Sequence, residues 1–231
     1  MYSLNCSQGG NPYAQVTQAQ DGNFYGTGYG WGKFSWGTVY KLTRQGVFTD
    51  LYDFMGSPDG GGPYAALVQA TDGEFYGATS VGAAPANNGT LYKINPQGAL
   101  SVLHTFDGTN GANPYATLLQ HTNGALYGST VAGGTGTKCT NGCGTLYKLD
   151  LGLKPFVRLL PTLGKVGSTV EILGQGFNGT TSVSFNGTTA HFTVRKDTYL
   201  TAQVPVGATT GFVTVMTMTG RLTSNYKFVV R

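Results

Sequence analysis

The sequence predicts an all-β chain, and three observations carry that reading. Strand formers and turn formers dominate: Gly supplies 37 of 231 residues, aromatics 12% and charged residues 10%, and Ala/Glu/Lys/Leu runs suited to helices are missing. Hairpin dipeptides stand before short β-rich phrases at Asp21-Gly22, Asp72-Gly73 and Asn123-Gly124. Those phrases belong to an internal repeat. Asn11-Pro12-Tyr13-Ala14 returns as Gly62-Pro63-Tyr64-Ala65 and as Asn113-Pro114-Tyr115-Ala116, each step being 51 residues. The composition is too apolar and aromatic for disorder, and it lacks the Gly-X-Y period of collagen.

The middle copy shows the elements in order: a strand over 64–71, a turn at Asp72-Gly73, a strand over 74–79, a loop, a strand over 89–95, a turn at 96–98 and a strand over 99–106. Four short strands in about 50 residues is the size of one β-propeller blade. A blade is covered on both faces, which accounts for apolar residues in both phases of 64–70. The units run over about 11–61, 62–112 and 113–154. They form an incomplete, about three-blade, β-propeller-like array.

Recurring letters mark architecture. Asp21 and Asp72 become Asn123 in the third copy, an exchange that a turn residue tolerates and a catalytic carboxylate does not. Gln18, Gln69 and Gln120 recur and are expected to hydrogen-bond loop backbone. Lys41, Lys93 and Lys148 recur and are expected to lay their stems on strand surface with wet charges.

Residues 1–10 read as the tail of a preceding unit, because Tyr2-Ser3-Leu4 aligns with Tyr52-Asp53-Phe54 and His104-Thr105-Phe106, the end of a fourth strand. The fourth strand of the third unit, after Leu149, is degenerate or taken over by the next domain. No basic and apolar leader follows Met1. Either the N-terminal strand completes the last blade and closes the ring, or, as three blades and an odd Cys6 lead us to expect, the chain is part of a longer parent whose other blades are its neighbours.

From residue 155 the Tyr-Gly phrases stop and β-branched residues take over. Strands are expected over 156–160, 169–173, 182–185, 190–194, 200–204, 212–218 and 226–230, with Asn186-Gly187 as a hairpin signal. Seven short strands in residues 155–231 suit an immunoglobulin-like β-sandwich.

Two resemblances rest on these residues. The order N-P-Y-A, D-G-x-x-Y-G, a Gly-rich loop and G-T-[VL]-Y-K, over 11–42, 62–94 and 113–149, resembles the Gloeo/Verruco (GloVer) extracellular tandem repeat. That resemblance implies secretion and a propeller-like array, and brings no catalytic residues. Pro161–Gly164, Gly167–Gly174, Gly176-Phe177, Val183–Phe185, Val204-Pro205 and Gly211–Val215 together resemble the IPT/TIG immunoglobulin-like family. That family occurs in receptors, transcription factors and secreted bacterial proteins, and the neighbouring repeats select the secreted context.

Little catalytic chemistry is legible. Gly174, Gly176 and Gly179 satisfy G-x-G-x-x-G, but a strand and not a helix is expected next. His104, His121 and His191 lie on different expected strands, and no Ser occupies a G-x-S-x-G elbow. No metal site, cofactor or catalytic residue is assigned. Asp107, Asn110 and Asn113 offer oxygen ligands or a polar connector between blades. Cys139 and Cys143 are expected to pair as a loop-pinning disulfide, which implies an oxidising compartment. The net charge of +4 is too diffuse to argue for nucleic acid, and no run of 18 apolar residues spans a membrane.

The most distinctive variable segment is the loop over 26–37, where Tyr29, Trp31, Phe34 and Trp36 crowd into eight positions. Such rings stack on sugar faces, or fold back as a lid on the blade edge. The expected function is a non-enzymatic extracellular or cell-surface scaffold displaying loops to polysaccharide or protein. The alternative is a secreted carbohydrate-active enzyme or its accessory module.

Overall fold

The computed structural model describes residues 2–5, 8–83 and 86–231. It is all-β, with no α-helix among the described residues. The chain folds as two bodies: Met1–Gln120 with Leu126–Leu149, and His121–Ala125 with Asp150–Arg231.

The repeat body holds three antiparallel sheets. The first has β1 (Thr17–Gln18), β2 (Phe24–Gly28), β3 (Thr38–Leu42) and β4 (Phe48–Asp53) in that order. The second repeats it with β5 (Val68–Gln69), β6 (Phe75–Thr79), β7 (Thr90–Ile94) and β8 (Leu100–Thr105). The third has β9 (Leu119–Gln120), β10 (Leu126–Ser129) and β11 (Leu146–Leu149), with no fourth strand among the described residues. Every residue of β6 is buried, as a strand covered on both faces requires. One core joins sheets one and two: Tyr25, Val39 and Phe54 pack with Leu67, Phe75, Tyr92 and Ile94.

The repeated phrases decode into folding devices. In the turns, Asp21 and Asp72 accept the N–H two residues on, at 3.0 and 3.1 Å, and Asn123 does the same at 3.0 Å. The second carboxylate oxygen of Asp21 and Asp72 accepts the hydroxyl of Tyr25 (2.9 Å) and Tyr76 (2.7 Å). Only the glycine of each dipeptide takes positive φ, so the turn is not the two-residue hairpin that the dipeptide suggests. Gly22 N–H closes on Ala19 O (2.9 Å), which makes a longer loop with the glycine as its left-handed residue. The glycine after each tyrosine has a different task. Gly26, Gly77 and Gly128 pair across strands with Tyr40, Tyr92 and Tyr147, and each ring covers the bare Cα. A Cβ on Gly77 would lie 2.5 Å from the Tyr92 hydroxyl oxygen.

The expected strand over 64–71 shrinks to Val68–Gln69. The residues before it give their backbone groups to neighbouring repeats instead: Leu67 O accepts Thr17 Oγ1 (2.5 Å), Ala65 O accepts Thr27 Oγ1 (3.1 Å) and Ala66 N–H donates to Thr117 Oγ1 (3.1 Å). Gln69 holds loop backbone as expected, its Nε2 donating to Gly73 O of its own turn (3.0 Å), and the glutamine oxygens also hold backbone of the preceding repeat. Gln69 Oε1 accepts from Gln20 N–H (2.9 Å) and Gln120 Oε1 from Thr71 N–H (3.1 Å). Residues 2–5 form no strand, and Tyr2 stacks on Phe48 with centroids 4.9 Å apart.

The C-terminal body has β12 (Arg158–Leu160), β13 (Leu163–Gly164), β14 (Thr169–Leu173), β15 (Ser182–Phe185), β16 (Thr188–Ala190), β17 (Phe192–Lys196), β18 (Tyr199–Gln203), β19 (Val213–Thr217), β20 (Gly220–Thr223) and β21 (Val229–Val230). Two four-stranded sheets, β12-β14-β18-β17 and β16-β15-β19-β20, share one core that includes Ile172, Phe177, Phe185, Leu200, Val213 and Phe228. The strand expected over 190–194 is two strands, because the chain changes sheets at His191. β20 carries no strong turn dipeptide before it and escapes a sequence reading.

Candidate functional site

The aromatic loop leaves β2 and returns at β3. It is pinned rather than loose. Gly37 N–H donates to Trp31 O (3.0 Å), Lys33 N–H to Asp53 Oδ1 (2.6 Å) and Gly62 N–H to Trp36 O (2.8 Å). Trp36 folds over Gly56 and Gly61, and Trp31 lies over Gly10, positions where a Cβ would collide with the indoles. The tryptophans are seated on neighbouring backbone, yet Trp31, Phe34 and Trp36 remain 51, 43 and 40% exposed. Lys33 Nζ sits 5.1 Å above the Phe34 ring.

Two loop residues take left-handed backbone, Trp31 at φ 66° and Ser35 at φ 63°. Only glycine adopts that region without cost, and a bulky residue held there stores about 1–2 kcal/mol. The loop holds Trp31 in place against that cost.

Tyr29 does not join the tryptophans. It packs edge-on against Tyr13 (5.5 Å) and Tyr64 (5.8 Å). Tyr13 stacks on Tyr64 at 4.9 Å, and Tyr64 meets Tyr115 at 5.2 Å. The tyrosines of the N-P-Y-A phrases thus form one row across three repeats, and all three are more than a third exposed. Sequence reasoning used that phrase only as a marker of the period. The signal was the Asn or Gly before each proline, residue types that tolerate left-handed backbone, and Asn11, Gly62 and Asn113 take positive φ in each copy.

Asp53 borders the loop, and Asp50 lies beside it on β4. Partial desolvation at the strand surface, then the charge and hydrogen bonding of Asp53, together raise the Asp50 carboxyl to about 6, against an opposing bond from the Tyr52 backbone. The folded protein holds this proton more tightly than the unfolded chain. Unfolding therefore releases a proton between pH 3.8 and about 6, and stability falls as pH rises through that window. Asp50→Asn is expected to flatten that part of the profile and to raise the melting temperature above it, read by thermal melts across the window.

The remaining candidates are placed as follows. Cys139 and Cys143 are joined by a disulfide, with Cα atoms 5.3 Å apart. Cys6 lies outside the described residues. Asp107 Oδ1 accepts Thr109 N–H (2.8 Å), Thr109 Oγ1 (2.8 Å) and Asn110 N–H (2.9 Å). These bonds, that from Asn110 foremost, hold its carboxyl below the usual range, and they make the segment a self-bonded polar turn. No group of three or more His, Cys, Asp or Glu that could hold a metal occurs among the described residues. His104 packs edge-on against Phe106 at 5.0 Å. No helix of the described residues is long and apolar enough to cross a membrane.

No curated protein matches the chain. Among solved structures, a protein suggested to be a gluconolactonase matches at 14% identity and TM-score 0.38, over 90% of this chain and 72% of its own. Virginiamycin B lyase from Staphylococcus aureus matches at 15% identity and TM-score 0.37, over 94% and 70%. At these scores neither likeness carries an argument about function. The model of the Gloeobacter/Verrucomicrobia repeat matches residues 1–194. With the 51-residue period and the sheet it produces, this match settles the relationship: the chain belongs to the Gloeobacter/Verrucomicrobia repeat family.

Proposed function

We propose that the chain is a non-enzymatic extracellular or cell-surface binding scaffold: a β-propeller-type array followed by an immunoglobulin-like sandwich of the IPT/TIG kind. The array would offer its aromatic rings to a polysaccharide or a surface protein, and polysaccharide suits them better. Trp31 is the observation that carries this reading, an exposed indole kept in left-handed backbone by a pinned loop. Phe34 and Trp36 add apolar faces beside it, and Asp53 and Lys33 border them with polar groups. The Cys139–Cys143 disulfide supports an oxidising location. The two sheets and single core of residues 156–230 support the sandwich.

The test is a glycan array probed with the parent chain and with Trp31→Ala and Trp31→Gly. Loss of an aromatic anchor should weaken binding by roughly thirtyfold, equivalent to about 2 kcal/mol. Trp31→Gly should also relieve the backbone strain, so it should melt no lower than the parent while losing the glycan. Undiminished binding by both variants would remove the stacking proposal, as would a parent that binds no glycan.

One observation favours a second reading, a secreted carbohydrate-active enzyme. Asp50 and Asp53 share β4, and desolvation together with the Asp53 charge raises the Asp50 carboxyl, the direction that suits a general acid. Release of reducing ends from a bound glycan, abolished by Asp50→Asn, would mark that activity.

A further inference from the structure

The tyrosines of the N-P-Y-A phrases recur in every repeat, yet folding leaves their polar ends unused. Other tyrosine hydroxyls of the repeat body are spent inside it. Those of Tyr25 and Tyr76 donate to Asp21 and Asp72, and that of Tyr52 donates to Asp59 Oδ2 at 2.8 Å. The hydroxyls of Tyr13, Tyr64 and Tyr115, and that of Tyr29 beside them, bond no described residue, and none of the four is sealed from solvent.

The row is held in place from below. Gly62 N–H donates to Trp36 O (2.8 Å) and Asn113 N–H to Asn88 O (2.9 Å), so the loop after the second strand of one repeat fixes the N-P-Y phrase of the next. Asn113 Nδ2 donates to Ser80 O as well, at 2.8 Å. Tyr29 packs against both Tyr13 and Tyr64, and its ring lies 3.0 Å from where a Cβ on Gly62 would stand. Two residues on, Trp31 is seated over Gly10, and Trp36 is seated over Gly61. Loop and row are therefore neighbours in one body, joined through Tyr29. Rings fixed in advance spare a ligand the cost of ordering them.

We propose that the tyrosine row is an extended subsite beside Trp31, and that it takes a neutral, linear polysaccharide along several of its sugar units. The inference rests on the polysaccharide reading of the aromatic loop. Three features choose this occupant. Like groups set one per repeat, with centroids 4.9 and 5.2 Å apart, suit a polymer of like units. An extended peptide does not keep that step, since its residues rise about 3.3 Å and same-face neighbours recur at about 6.6 Å. The rings also pack on one another, so they offer hydroxyls and ring edges in place of the pockets or grooves that a bound strand or helix fills with side chains. Sugar hydroxyls donate and accept, as phenols do. Finally, the row consists of Tyr13, Tyr29, Tyr64 and Tyr115, uncharged side chains that offer an acidic chain no counter-charge.

Calorimetric titration of the full chain with cello-, xylo- and manno-oligosaccharides, disaccharide through hexasaccharide, tests it. In the series that binds, the hexasaccharide should bind about tenfold tighter than the disaccharide or better. Tyr64→Phe/Tyr115→Phe deletes two hydroxyls and keeps both rings, so the melting temperature should not move. The double variant should bind the hexasaccharide about tenfold more weakly, the worth of two ordinary hydrogen bonds, and the disaccharide as the parent does. A hexasaccharide that gains nothing over the disaccharide overturns the subsite and leaves Trp31 standing, as does a double variant that binds it like the parent. Loss in the double variant with full binding by Trp31→Ala upholds the row and removes Trp31 as the anchor. A parent that binds no member of the three series overturns the row. If that parent still binds an acidic glycan, the loop reading survives; if it binds a peptide or nothing, both fall.

Discussion

Phe54→Ala should lower the unfolding free energy of the repeat body by about 3–5 kcal/mol, the usual cost of emptying a fully buried aromatic site. Phe54 is 0% exposed and directly follows the fourth strand of the first sheet. Its ring meets Tyr52 at 5.3 Å in its own repeat and Tyr92 at 5.1 Å in the next. Phe106 repeats the arrangement, meeting Tyr147 at 5.5 Å. The backbone cannot close the gap readily, because Phe54 N–H is held on Gly37 O at 3.0 Å. Urea unfolding followed by tryptophan fluorescence reads the effect, since both tryptophans, Trp31 and Trp36, lie in the repeat body. A loss under about 1 kcal/mol would mean that the inter-repeat core is not what holds the array.

Gly77→Ala should cost about 1–3 kcal/mol, occasionally more, although it adds a single methyl group. The new Cβ would lie 2.5 Å from the Tyr92 hydroxyl oxygen and 2.6 Å from the ring carbon bearing it. Tyr92 cannot withdraw, for it is fully buried and its hydroxyl already lacks a hydrogen-bond partner. Tyr92→Leu opens the space over residue 77. The double variant Gly77→Ala/Tyr92→Leu should therefore lose less than the sum of the single losses, with a coupling of about 0.5–3 kcal/mol. Additive losses would mean that the repeated Tyr-Gly pair is not a packing unit. The same logic covers Gly26 with Tyr40 and Gly128 with Tyr147, and it explains why a glycine closes each Asp/Asn-Gly-x-x-Tyr-Gly phrase.

What was legible in the sequence was short-range. The turn at Asp72-Gly73 is made by Asp72 and its near neighbours, so the local phrase announces it. The third strand, β7, has the β-branched and aromatic letters of a strand and runs as expected. What was hidden depends on partners a whole repeat away. Gln69 finds its acceptor role on Gln20, and nothing near residue 69 says so. The tyrosine row is invisible for the same reason: Tyr13, Tyr64 and Tyr115 become one feature only when the repeats stack. The loop that carries Trp31 reads as flexible from its glycines, yet Asp53 from β4 and the left-handed turns pin it. Splitting of the strand at His191 between two sheets likewise follows from the core each half must face, and not from local propensity.

Each repeat shares a core with the next, and the array depends on that sharing. Hydrogen exchange on the parent and on Phe54→Ala, resolved by peptide, measures it directly. The prediction is that amides of β3 and of β7 lose protection together, although the substituted residue belongs to the first repeat, while β14 and β18 keep theirs. Loss confined to β3 and β4, with β7 fully protected, would contradict it.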